Sequence, residues 1–101
     1  MPIDLTLAEA FEWDAGNARK SADKHDVGQA EAEQVFFNDP LLVLSDPVHS
    51  VDEPRWHALG RTDEGRHLHL TFTLRRRGTL IRVISARPMS RKERQRYEQE
   101  A

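Results

Sequence analysis

The chain has 101 residues, which suits one domain with a modest core, and its lack of cysteine excludes disulfides and Cys-based zinc sites. The formal net charge of -2 conceals a division: residues 1–54 hold 3 Lys+Arg against 12 Asp+Glu, a net of -9, and residues 55–101 hold 12 against 5, a net of +7. Such asymmetry points either to a polyanionic partner or to acidic and basic faces that neutralise each other within one domain. Mean hydropathy of -0.72 would allow disorder. The apolar residues, however, gather in patterned runs, LLVL, HLHLTFTL and LIRVIS, so a folded domain over 1–101 is expected. No run approaches the ~20 apolar residues of a membrane span. The opening MPIDLTLAEA lacks the basic start and apolar run of a secretory signal, so a cytoplasmic protein is expected.

Residues 1–10 read as a lead-in. Phe11, Glu12 and Trp13 alternate apolar and polar, which suits a short edge strand. Asp14 is placed to cap a helix over 15–24, and a second helix spans 29–37 beyond Gly28. Asn38, Asp39 and Pro40 stop that helix. Thereafter the period becomes two. Strands are predicted over 41–45, 55–62, 67–75 and 80–87, with a hairpin turn at Asp63, Glu64 and Gly65 and another at Arg77 and Gly78. The third of these is the clearest, with Leu68, Leu70, Phe72 and Leu74 on one face and His67, His69, Thr71, Thr73 and Arg75 on the other. Ser90 and Glu93 form a capping box that opens a basic helix over 90–100. The expected architecture is α+β: two N-terminal helices, a four-stranded antiparallel sheet and a C-terminal helix, with the helices grouped on one side of the sheet.

Arginine dominates the chemistry. Arg55 and Arg61 fall on the second predicted strand, Arg75 on the third, and Arg82 and Arg87 on the fourth. Guanidinium grips phosphate through paired hydrogen bonds and keeps its charge, so such a cluster suits a phosphodiester. Alternation sends Arg82 and Arg87 to opposite faces unless a bulge intervenes. Arg82, between Ile81 and Val83, needs a counter-charge if it is buried, and Asp46 or Glu53 would serve. The alternative to phosphate binding is therefore a structural ion pair.

Five histidines are present, at 25, 49, 57, 67 and 69. His67 and His69 share a strand face but lack a third ligand at suggestive spacing, so no metal site is assigned. His25 beside Lys24 suits the negative end of a helix dipole. It also suits proton transfer, because imidazole titrates near neutrality. There is no Gly-rich phosphate loop, no GxSxG elbow, no zinc-finger spacing and no RNP-type aromatic strand, so no cofactor is expected. RNA cleavage needs only a base for the 2′-hydroxyl, an acid for the leaving oxygen and positive charge at the phosphate. Lys24, His25 and the arginines contain those parts.

Several segments resemble the BrnT toxins of bacterial type II toxin–antitoxin systems: FEWD at 11–14, KH at 24–25, VFFNDPLLVLSD at 35–46, HSVDEPRWHALGRTDEGR at 49–66, FTLR at 72–75 and IRVISARPMSRKERQRYE at 81–98. The last is the most specific. The resemblance implies a fold like that of the RelE ribonucleases and a ribonuclease activity that arrests translation, and the residues named above would supply that activity without metal. It also implies a BrnA-type ribbon-helix-helix antitoxin as partner in a hetero-oligomer, with promoter DNA bound only through that complex. The family's site maps onto Lys24, His25, Arg82 and Arg75 as catalytic candidates and Arg55 and Arg87 as RNA-binding ones, with Glu53 in support; the strand reading adds Arg61 to the RNA-binding set. The chain carries Ser21 where the family usually has Asn, and Asp26 where it has Gly. A second reading stays open: a non-catalytic module whose basic face only binds an antitoxin or nucleic acid.

Overall fold

A computed structural model describes residues 5–49 and 53–101. The elements follow in the order β1 (Ala10–Trp13), α1 (Ala15–His25), α2 (Gln29–Gln34), β2 (Leu42–Ser45), β3 (Trp56–Arg61), β4 (His67–Arg75), β5 (Leu80–Pro88) and α3 (Arg91–Glu100), with a 3-10 turn at Val35–Phe37 after α2. The sheet has five strands in the order β1-β5-β4-β3-β2. It is mixed rather than a four-stranded antiparallel meander, because the FEW segment enters the sheet and pairs in parallel with β5, Phe11 opposite Ile81 and Glu12 opposite Arg82. The lead-in also contributes: Leu5 and Ala8 pack on the core, and the Glu9 amide donates to the Thr79 carbonyl at 2.8 Å.

Local chemistry accounts for the boundaries. The Asp14 carboxylate accepts the Asn17 amide at 3.1 Å and starts α1. That helix ends at Asp26, which adopts the left-handed conformation, φ 54°, and returns its N–H to the Ala22 carbonyl. A Gly is favoured at such a position because it has no Cβ to clash. The 29–37 helix tightens to 3-10 for its last three residues, ahead of Pro40. Ser90 and Glu93 close the expected capping box reciprocally, at 3.2 and 2.8 Å.

The core lies on one face of the sheet. Leu68, Leu70 and Phe72 of β4, Ile81, Val83 and Ala86 of β5, and Ala58 of β3 pack against Val27, Ala32 and Val35 from the α1–α2 region. Gly60 faces Val35 so closely that a Cβ there would lie 2.6 Å from the Val35 Cγ1. The helices are not grouped on one side. α3 lies over the opposite face, anchored by Tyr97, whose ring meets His67 edge-on at 5.7 Å and whose hydroxyl donates to the Pro40 carbonyl at 2.5 Å. Its sequence is too polar to cover a core, so it docks by this one aromatic and by ion pairs.

One irregularity decides what the second face displays. Thr71 pairs with Ser85, but Phe72 pairs with Val83, so Ile84 is an extra residue. A bulge of this kind resets the alternation of the strand. Ile81 and Val83 point into the core before it, and Ala86 does so after it. Arg82, opposite Thr73, and Arg87, opposite His69, therefore share the outer face. The bulge has its own support: the buried Ser21 hydroxyl of α1 accepts the Ala86 amide at 3.2 Å.

Candidate functional site

The outer face of β3, β4 and β5 collects His57, His69, Thr71, Thr73, Arg75, Arg82, Ser85 and Arg87. Two shallow depressions of about 350 and 360 Å³ lie on it and share His57 and Thr71. Together they form a trough from Arg55 and Ser85 at one side to Arg87, Glu93 and Arg96 at the other.

A chain of polar contacts runs along this trough. The Asp46 side chain, 8% exposed, sits between two imidazoles: His49 Nδ1 at 3.0 Å and His57 Nε2 at 3.0 Å. Asp46 also accepts the His49 backbone amide at 3.3 Å, an Asx-type turn that follows directly from β2. Burial pushes the Asp46 carboxyl up, but the His49 hydrogen bonds and the charges of both imidazoles outweigh it and hold the group below its ordinary range. His57 Nδ1 meets the Thr71 hydroxyl at 3.1 Å, and its ring lies 4.6 Å from that of His69. Burial, reinforced by the Arg87 charge, pushes His69 down to about 4, so it is neutral at pH 7 despite Glu93 at 3.6 Å. Glu93 in turn receives two hydrogen bonds from Arg87, at 2.8 and 2.7 Å, which hold it at about 2. The same pairing raises Arg87.

Arg75, Arg82 and Arg87 are each paired with a carboxylate. Arg82 donates to Glu12, its neighbour on β1, and lies 3.9 Å from Asp14. Its counter-charges are thus Glu12 and Asp14, not Asp46 or Glu53, because the parallel β1–β5 register sets Glu12 beside it. Glu53 pairs instead with Arg75 at 3.4 Å. Arg55 precedes β3 and borders the trough beside Asp46.

Two predicted groups lie elsewhere. The His25 and Asp26 carbonyls accept Arg66 at 3.1 and 2.7 Å, which ties the Lys24–His25 end of α1 to the residue just before β4. Arg75 closes β4 nine residues later, about 30 Å away at the usual strand rise. Lys24 and His25 therefore do not share a site with Arg75 and Arg82, which corrects the expected catalytic set. Arg61 sits at the same distant end, with Nε and Nη2 both donating to the Asp39 carbonyl at 3.1 and 2.8 Å. His67 and His69 are separated too, His67 against Tyr97 and His69 against His57. The residues missed by sequence reasoning are Asp46, His49, His57 and Glu93 as a connected set. Alternation alone placed His69 and Thr71 on one face, but nothing in the sequence tied the 46–49 turn to them.

The family of the "ribonuclease toxin, BrnT, of type II toxin-antitoxin system" matches residues 13–93. The chain belongs to the BrnT family. As a family of type II toxin–antitoxin systems, BrnT implies an antitoxin partner. No curated protein matches the chain. Among solved structures, the ribonuclease toxin BrnT of Brucella abortus is similar, with a TM-score of 0.63 and 19% identity, over 81% of this chain and 97% of that one. At that identity the likeness establishes the BrnT fold. Among the described residues, no helix is long and apolar enough to cross a membrane.

Proposed function

We propose that this BrnT-family chain is a metal-independent endoribonuclease of the cytoplasm that cuts RNA to arrest translation. A BrnA-type ribbon-helix-helix antitoxin neutralises it, and promoter DNA is bound only through that complex. Kinship with the RelE ribonucleases belongs to the same reading. The observation that carries it is the bulge at Ile84, which turns Arg82, Ser85 and Arg87 onto the face that already holds His57, His69, Thr71 and Arg75. Phosphodiester cleavage by general acid–base chemistry needs fixed positive charge, proton-transfer groups and an open groove, and this face combines all three. Arg82 and Arg75 are the phosphate-gripping residues in this reading, Arg55 extends the grip along the trough, and Glu53 orients Arg75. Arg87 chiefly pins α3.

The test is cleavage of a single-stranded RNA by the purified chain, alongside growth and RNA integrity in cells that express it. Arg82→Ala should lower cleavage by about 10²–10³-fold, the usual cost of one transition-state donor. Intact RNA with the unaltered chain would refute the proposal. A second reading is supported by one feature: Arg75, Arg82 and Arg87 each already hold a carboxylate. A face so neutralised also suits a non-catalytic module that docks an antitoxin. A chain that binds its partner tightly yet leaves RNA intact would establish it.

A further inference from the structure

Resting on the ribonuclease reading, we infer that His49 is the general base of the reaction and that Asp46 is its positioning residue. Three observations meet at this pair. First, His49 Nδ1 and backbone amide are both bound by the Asp46 carboxylate, at 3.0 and 3.3 Å, so the ring is held from two points. Second, Asp46 is buried whereas the His49 side chain is 66% exposed, so the orienting group is sheltered and the reacting group is accessible. Third, both border the depression that also contains Arg55, His57, Thr71 and Ser85.

The chemistry follows from the tautomer. An anionic Asp46 accepts a hydrogen bond from the Nδ1–H tautomer of His49, which leaves the Nε2 lone pair free to accept a proton. This is the arrangement of an oriented imidazole base. His57 touches the same carboxylate, but its two nitrogens face Asp46 and Thr71, so both of its proton sites are occupied. His69 is enclosed against Glu93 and His57. Of His49, His57 and His69, His49 is thus the most exposed, and its Nε2 has no hydrogen-bond partner among the described residues. In the step assigned to it, Nε2 takes the proton of the ribose 2′-hydroxyl as the 2′-oxygen bonds to phosphorus. The bond from phosphorus to the 5′-oxygen breaks, and that oxygen takes a proton from water. The products are a 2′,3′-cyclic phosphate and a 5′-hydroxyl, and His49 returns its proton to solvent.

The experiment uses the full chain and an RNA oligonucleotide. His49→Ala should cut RNA about 10²–10⁴-fold more slowly, with RNA affinity and circular dichroism retained. Added imidazole should restore part of the rate to His49→Ala and none to Arg82→Ala. Asp46→Asn should fall in rate without losing affinity, and an all-2′-deoxy strand should stay intact. Wild-type cleavage rates in His49→Ala would overturn the assignment while leaving the ribonuclease reading standing. So would a loss that imidazole does not relieve. RNA left intact by the unaltered chain would remove both.

Discussion

Glu93 offers the most direct measurement of how α3 is held. It caps the Ser90 amide, receives both arms of Arg87 and faces His69, so three elements meet at one carboxylate. Its pKa falls from the ordinary 4.5 to about 2. At about 1.4 kcal/mol per pH unit, that difference sets a ceiling of about 3 kcal/mol on what ionisation of Glu93 adds to folding. The side chain is 24% exposed and its arginine 37%, so screening by water brings the figure to about 1–2 kcal/mol. The sign is that of a depressed carboxylate: the stability is present above the unfolded value near 4.5 and is lost as pH falls toward 2. Glu93→Gln keeps the shape and removes the charge. It should lower stability by about 1–2 kcal/mol at pH 7, or about 5–10 °C in Tm for a domain of this size. Urea titrations of both proteins at a series of pH values between 7 and 2.5 measure the gap, which should close as the wild-type carboxylate becomes protonated. A gap that is the same at pH 7 and pH 2.5 would refute the ion-pair account, since Gln can still accept the Ser90 amide and only the ionic contribution should titrate.

Three further outcomes follow from single contacts. Ser21→Ala removes the acceptor of the buried Ala86 amide at the bulge and should cost about 1–3 kcal/mol in urea unfolding, as expected for an orphaned buried donor. Gly60→Ala forces a Cβ to within 2.6 Å of the fully buried Val35, and overpacking of this kind should lower Tm by the equivalent of about 1–3 kcal/mol. Asp26→Gly relieves a left-handed residue, φ 54°, at the end of α1 and should raise stability by about 0.5–1 kcal/mol in the same assay.

Much of this fold was legible in the sequence because its signals are local. Period-two alternation marked β4 to the residue, and the Ser90–Glu93 spacing marked the start of α3. The FEW segment was readable as a strand, but its place was not, since parallel pairing with β5 depends on a contact some 70 residues away. The helix layering failed for a related reason: a helix as polar as α3 carries no face that tells which side of a sheet it will cover. The site was legible only in parts. Arginine content suggested the phosphate chemistry proposed above, and neighbouring strands brought Arg75 and Arg82 onto one face. Lys24 and His25 were grouped with them by residue type and by the family resemblance, neither of which carries distance, and the sheet separates the two groups by its own length. A bulge has no reliable signature in one sequence, yet this one decides the facing of Arg87.

The division of charge along the chain takes on a structural meaning in these pairings. The carboxylates on Arg82 and Arg75 come from the acidic half, Glu12, Asp14 and Glu53, whereas that on Arg87 comes from the basic half itself. The two kinds of pair differ in strength. An exposed pair such as Arg75–Glu53, one hydrogen bond at 3.4 Å, is worth about 0–1 kcal/mol, so a phosphate can displace the carboxylate at little cost. The Arg87–Glu93 pair has two short bonds and a helix cap behind it, so its exchange would unseat α3 as well. The cations of this face are therefore graded by how firmly they are already held, weakly at Arg75 and firmly at Arg87. On the ribonuclease reading proposed above, the end near β1 and the 53–55 turn is therefore where a phosphate should displace a carboxylate most easily.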